Sequence, residues 1–538
     1  MMSSSTAQSS WPKAHGLFPF ALLLWFALMT PWGTFPDPDA FYHAHIAKLM
    51  LDSGPLQAFP WLDLTTLGTQ FADHHYLFHL ILGPAIFFFG EFWGTQLMAP
   101  VLATITALAL WGLLRRMNAP YAAIFVFLTL LSPNFTQRLL LAKASPLAIG
   151  FFLVIIGAFL FRKPVLMFVA AMLFALSHGG WILSVVVTGL LSAGMLVSRV
   201  MLDEWTWKRS LKDLPWKTLA ALPLGIAVGL LVHPNRMEIL RFLWLQVVQV
   251  SIFSTGAVLN QGREWNPSTI GDVVQDAAPL VIVAIMIGAG LLFAARRIAQ
   301  DDADPALPGA HGEFRATIER ALLLALPVAL TLAMTLNSRR YAEFFVPSLA
   351  LWLASLSALI DANRFRAWMQ SLKRRAFTGA FVRIFPILVA ALAAHHAFAS
   401  WRVLHAEYFR FDTFRTTMAA ISDRAEPGDR VFQSNWDEFP MLWAADDRLK
   451  YLFGLDPAFL YAKNPELSKA QFELVTGQAS STLWEVIVER TGSRFVFETP
   501  IRHPNFDRLL REDPRFREIA RDAVSAAFEV VSESGNTK

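Results

Sequence analysis

Ala278-Pro-Leu-Val-Ile-Val-Ala-Ile-Met-Ile-Gly-Ala-Gly-Leu-Leu-Phe-Ala-Ala295 runs for eighteen residues without a charge and is closed by Arg296 and Arg297. That length matches the ~20 apolar residues needed to cross a hydrocarbon layer as a helix. The arginine pair at its end is the mark of a cytoplasmic loop. Similar runs recur on both sides, beside basic clusters at Arg115-Arg116, Arg162-Lys163, 199–217, Arg296-Arg297 and 373–375. Placing all five clusters inside gives eleven spans, near 17–35, 95–114, 119–136, 146–161, 164–178, 180–198, 218–233, 274–295, 321–336, 341–360 and 384–400. One apolar stretch, 76–92, is left over; as a further span it would put Arg115-Arg116 outside, so it reads as a re-entrant or interfacial helix.

Composition agrees. Apolar residues make up 55% of 538, charged residues 16%, and mean hydropathy is +0.42. Charges are sparse until about 411 and dense afterwards, so the chain divides into a membrane part, 1–400, and a water-soluble part, 401–538. The fold class is therefore a polytopic α-helical membrane protein of about eleven spans with a C-terminal soluble domain. The net charge of +4 is small, and Lys and Arg cluster at span ends, so no nucleic-acid partner is indicated. With no cysteine, disulfides, thiolate metal sites and cysteine nucleophiles are excluded. The first apolar run is followed by Thr30-Pro31-Trp32-Gly33, a poor cleavage site, and reads as a retained span.

Under this topology the unusual polar residues collect on the outer face. The first outer loop opens Asp37-Pro38-Asp39-Ala40-Phe41-Tyr42-His43 and closes Asp73-His74-His75. Asp37 before Pro38 reads as a helix cap. Asp39 then lies in the first turn, with His43 one turn later on the same face. Asp73 and His74, with His75, offer a carboxylate and imidazoles suited to a divalent cation, at a spacing that matches no metal signature; the alternative is a solvated pair. The second outer loop, 132–143, holds Gln137, Arg138 and Lys143 but no acid. The next holds His233-Pro234-Asn235-Arg236, an amphipathic stretch at 239–253 and Glu264. Arg339-Arg340 breaks the charge rule at an outer end, close to Glu343; the pair fits a phosphate, an anionic-lipid anchor or an ion pair with Glu343.

From Asp412 the pattern becomes α/β: a helix at 413–424, a strand at 430–433, a helix at 481–490, and strands at 494–498 and 527–531. After the first strand comes Ser434-Asn435-Trp436-Asp437-Glu438-Phe439. Loops at the carboxyl ends of such strands hold binding groups.

Asp39-Ala40-Phe41-Tyr42-His43 resembles the Asp-Pro-Tyr-Tyr-His type of motif in the first outer loop of oligosaccharyltransferase catalytic subunits, members of the GT-C superfamily. Asn435-Trp436-Asp437-Glu438-Phe439 is similar to their Trp-Trp-Asp-Tyr-Gly motif. The plan also matches: many spans, a long acidic first loop and an outer α/β domain. Two departures stand out. No second acidic motif lies between Ser132 and Lys143, and Glu438-Phe439 replace Tyr-Gly.

The resemblance implies a GT-C glycosyltransferase moving a sugar from a polyprenyl-phosphate-linked donor to a glycan, lipid or protein acceptor, at the extracytoplasmic face of the plasma (inner) membrane. Asp39 and His43 would do the chemistry, Arg339, Arg340, Glu343, Glu264, Arg236, Trp436 and Asp437 would bind substrate, and Asp73 and His74 would hold a divalent metal ion. The rivals are a transporter or lipid flippase, expected to carry ionisable residues at mid-membrane, and a non-catalytic assembly protein of the same fold.

Overall fold

The computed structural model describes residues 14–203, 206–246, 262–298, 310–360, 376–406, 408–478 and 481–531. The basic cluster at 373–375 and residues 247–253 of the amphipathic stretch lie outside the described residues.

This is a multi-pass membrane protein. Glu91–Arg116, Trp181–Leu202, Arg315–Asn337 and Pro386–Ala406 are each long and apolar enough to cross a bilayer. Two bent pairs, Ala122–Leu130 with Pro133–Leu140 (84°) and Ile270–Asp276 with Ala278–Leu292 (90°), raise the number to six if each is one span. Five apolar helices are shorter: Phe18–Met29, Tyr76–Phe89, Ser145–Leu160, Pro164–Ser177 and Trp216–Val232. The last two pack closely because Gly225 and Gly229, four residues apart, present bare backbone to the carbonyls of Phe168 and Met172, the small-residue packing that membrane helices favour.

Two expected spans are broken rather than straight. Within 119–136 the helix stops at Leu130 and restarts at Pro133, so most of the expected second outer loop is the helix Pro133–Leu140. Ser132 caps the new start, accepting from the Phe135 N–H (3.2 Å), with Pro133 as first helical residue. The break at Ala277 answers it. The Asp276 carboxylate accepts from Ser132 Oγ (2.6 Å) and the Asn134 N–H (2.9 Å), so the two bends cap one another.

The stretch beginning at Tyr76 forms a helix to Phe89 and turns at Gly90, whose φ of 79° favours glycine. Its 14 residues extend about 21 Å, short of the ~30 Å hydrocarbon layer.

The C-terminal part carries a five-stranded mixed sheet in the order Lys450–Tyr451, Arg430–Gln433, Phe495–Glu498, Ala526–Val530, Phe516–Arg521. The first three strands are parallel and the last two antiparallel. The helix expected at 481–490 is a single π turn, Glu485–Glu489. Alternation puts Val431, Phe495 and Phe497 on the face that merges with the membrane part's core, and Phe432, Val496 and Phe528 on the other.

The first loop is clamped onto the C-terminal part, through a separate two-stranded sheet and through the five-stranded one. Thr34–Phe35 pairs antiparallel with Phe409–Arg410. Asp63 binds Arg430 and Lys450, each at 2.8 Å. Trp443, wholly buried, packs among Tyr42, His45, Phe59 and Trp61.

Candidate functional site

A cavity of about 1060 Å³ opens between the first loop, the bent pairs and the C-terminal sheet. Of the residues expected at a site, it gathers Asp39, His43, His74, Glu264, Arg339, Arg340, Trp436 and Asp437. The rest fall elsewhere. Arg236 is exposed and does not line the cavity, while its neighbours His233 and Asn235 are buried and structural. Glu343 is 1% exposed and reaches Arg138 rather than the arginine pair beside it in sequence.

The first loop's helix is Asp39–Ser53. Asp37 Oδ1 accepts from the Asp39 N–H (2.9 Å), so Asp37 closes the helix start as a short side-chain turn. Lys143 bridges both acids, with Nζ 2.8 Å from Asp37 Oδ1 and 2.7 Å from Asp39 Oδ2. Burial pushes the Asp37 carboxyl up to about 6, against the pull of Lys143 and with the push of Asp39. Burial works to lower the Lys143 ammonium, but the two carboxylates carry it above its usual range. Asp39 Oδ1 is left over: it is buried and takes no hydrogen bond among the described residues. A buried acceptor of this kind is costly until a donor arrives.

Beneath this lies a second ionic group. Arg138, 6% exposed, donates from Nε to Glu343 (2.7 Å), from Nη1 to Glu264 (2.5 Å) and from Nη2 to Ser145 (3.2 Å). Burial works to raise the Glu264 carboxyl, yet Arg138, Arg340 and Lys143 pull it well below the usual range. Arg340 touches Glu264 Oε1 at 3.3 Å and lies 5.1 Å from the centre of the Trp265 ring, so among the described residues only Nη1 is committed. Arg339 is half exposed and 3.8 Å from Asp272.

Asp73 and His74 turn to different partners. Asp73 Oδ2 accepts from His79 Nδ1 (2.8 Å), and Oδ1 accepts from the His75 N–H (3.1 Å). His74 stacks on Phe242, ring centres 4.3 Å apart. No three His, Cys, Asp or Glu side chains converge on one point among the described residues. Burial works to raise the Asp73 carboxyl, but the His79 ring holds it below the usual range. His79 in turn meets His43: its Nε2 is 2.8 Å from His43 Nδ1. Burial, with His75 and His79 nearby, holds the His43 imidazole well below its ordinary range and therefore neutral.

On the sheet side the groups are satisfied. Asp437 is paired with Arg502 at 2.8 Å. Glu438, 1% exposed, accepts from Ser434 Oγ (2.9 Å), the Asn435 N–H (2.9 Å) and Thr499 Oγ1 (2.8 Å). Phe439 stacks on Trp443. Trp436 keeps a face to the cavity.

Sequence reasoning missed three contributors. Lys143 and Arg138 stood out only as basic residues in an acid-free loop, since their partners lie up to 205 positions away. His79 was passed over inside an apolar run; a lone imidazole in such a run was the available signal.

Among solved structures, the chain is similar to ArnT from Cupriavidus metallidurans bound to undecaprenyl phosphate, with a TM-score of 0.54 and 13% identity over 98% of this chain and 99% of that one. It is similar to the Archaeoglobus fulgidus oligosaccharyltransferase in complex with Zn and sulfate (0.53, 12%, 96% and 73%). It also resembles the arabinofuranosyltransferase AftD from Mycobacteria (0.55, 15%), covering 96% of this chain but 40% of AftD. No family model and no curated protein matches the sequence. These neighbours support a GT-C-like fold for this chain.

Proposed function

We propose that this protein transfers a sugar from a polyprenyl-phosphate-linked donor to an acceptor at the extracytoplasmic face of the plasma membrane. The eleven-span arrangement, with 401–538 outside, belongs to this proposal. The observation that carries it is the state of Asp39: one oxygen is held by Lys143, and the other is buried, unpartnered and part of a cavity wall. A carboxylate so fixed orients a nucleophile's O–H or N–H and stabilises positive charge at an anomeric carbon. Arg340 and Arg339, with donors to spare, suit the lipid phosphate that leaves. The ArnT neighbour was solved with undecaprenyl phosphate, a ligand of the chemistry proposed here.

The Asp39 carboxylate is met by the Lys143 ammonium, which holds it in place electrostatically. The test is to incubate the purified protein in lipid nanodiscs with radiolabelled polyprenyl-phosphate sugars and a membrane extract as acceptor source. Label should leave the lipid fraction with wild type and stay there with Asp39→Asn. Equal release by both would overturn the reading.

A further inference from the structure

We propose that Asp73 and His79 are positioning residues that lock His43 in the tautomer whose bare Nε2 faces the cavity, ready to take the proton of the nucleophile. This rests on the functional reading above and adds where the proton goes.

The lock follows from donor and acceptor capacity. Asp73 is 2% exposed; its Oδ1 accepts from the His75 N–H, its Oδ2 lies 2.8 Å from His79 Nδ1, and an ionised carboxylate there can only accept. A bare His79 Nδ1 at 2.8 Å would set lone pair against lone pair; Nδ1 therefore carries the hydrogen and donates. With His79 neutral the other nitrogen is then an acceptor, whereas an imidazolium would donate from both nitrogens and reverse His43. His79 Nε2 must accept from His43 Nδ1 at 2.8 Å, which leaves the lone pair of His43 on Nε2. That nitrogen takes no hydrogen bond from the protein among the described residues, and His43 lines the cavity. One buried anion so determines two tautomers, as a carboxylate behind a metal-bound histidine fixes that ring's tautomer.

The lock is itself held rigidly. The Asp73 carbonyl accepts from His233 Nε2 (2.9 Å), and the Asp73 N–H donates to Asn235 Oδ1 (3.3 Å). Asn235 Nδ2 donates to the Leu56 carbonyl (3.0 Å), tying the segment after the first loop's helix to the loop's end at Asp73. This accounts for the burial of His233 and Asn235 away from the cavity.

The step balances. The nucleophile's oxygen or nitrogen bonds to the anomeric carbon, and the bond from that carbon to the phosphate oxygen breaks. The electron pair departs with the lipid phosphate, and the nucleophile's proton passes to His43 Nε2. His43 can then hand its Nδ1 hydrogen to His79 Nε2, placing the positive charge beside Asp73 rather than in the cavity.

The test uses full-length protein carrying 15N-labelled histidine in nanodiscs. Ring nitrogens are read by solid-state NMR and assigned through His43→Gln and His79→Gln. Both wild-type rings should carry hydrogen on Nδ1 with Nε2 bare. Asp73→Asn, which can present an N–H to His79, should reverse both rings. A wild-type His43 bearing hydrogen on Nε2, or one unmoved in a folded Asp73→Asn, overturns the proposal. If Asp73→Asn does not fold, the wild-type spectrum alone decides. In the transfer assay Asp73→Asn should lower kcat by roughly 10³-fold or more with donor KM unchanged, since the same carboxylate-to-amide change in a Ser–His–Asp triad costs roughly 10⁴ through the wrong tautomer. Equal changes in kcat and KM would also overturn it. A wild type that shows the predicted tautomers but transfers no sugar would fail the functional reading instead.

Discussion

Two acidic walls face the same cavity, and they differ in what their side chains have left to give. On the sheet wall, Asp437 is neutralised by Arg502, and Glu438 accepts three short hydrogen bonds. On the first-loop wall, Asp39 keeps a buried oxygen and His43 a ring nitrogen that have no partner among the described residues. Both walls carry a motif that resembles the same superfamily. The difference teaches that a motif can persist as structure on one side of a site and as chemistry on the other, and that the hydrogen-bond ledger separates the two.

The sharpest way to break this comparison is at Asp39 and its neighbour. Asp39→Asn should lower the rate of label transfer by roughly 10²-fold or more, the range of a lost acid–base or orienting group, with the melting temperature unchanged. Asp37→Asn preserves a residue that caps well and should retain activity within about tenfold. The reverse ranking, read in the same assay, would exchange the two roles.

Beneath the cavity, Glu343→Gln strips Arg138 of its most buried counter-charge. Removing one partner of a buried ion pair costs about 3–5 kcal/mol, so thermal unfolding in detergent should show a large loss. An unchanged midpoint would mean that Glu264 alone satisfies Arg138.

The sheet wall predicts a pH dependence. Burial, aided by the charge of Asp437, pushes the Glu438 carboxyl up to about 7 from an ordinary 4.5. An acid raised in the folded state contributes stability that is full below 4.5 and is lost as pH rises to about 7. Across that window the loss amounts to about 3 kcal/mol. Thermal midpoints should fall between those pH values in wild type, and Glu438→Gln should flatten the profile. An equally steep profile in the variant would put the titration elsewhere.

Smaller effects separate the arginines. Arg340→Lys loses the planar fork and the contact with Trp265, and donor affinity should weaken by about tenfold. Arg339→Lys, at a half-exposed position, should behave nearly as wild type. Smallest of all, Arg502→Gln opens a partly exposed pair worth at most about 1 kcal/mol, and the transfer rate should be nearly unchanged. A strong rate loss there would restore the sheet wall to the chemistry and end the contrast.

Much of this was legible in the residues. Apolar runs marked most helices to within a few positions, because hydropathy is a local sum and a bilayer reads it locally. Asp39 and His43 could be singled out because helical spacing puts them on one face. The breaks at 131–132 and at Ala277 were not seen, although Pro133 after Ser132 is a helix-start signal; the apolar run on either side outweighed it.

By itself, then, the sequence determined that the chain crosses a membrane repeatedly, that an α/β part follows, and that acids and histidines gather in the loop after the first apolar run. Each of these depends on composition and spacing within a few turns. Only the tertiary structure decided that Lys143 bridges Asp37 and Asp39, that Glu343 serves Arg138 rather than Arg340, that Arg236 stands apart, and that Asp73 meets His79. Those outcomes are set by which charges meet inside a low-dielectric interior, where an unpaired group is costly enough to dictate its partner, and no local pattern in the chain records which partner that will be.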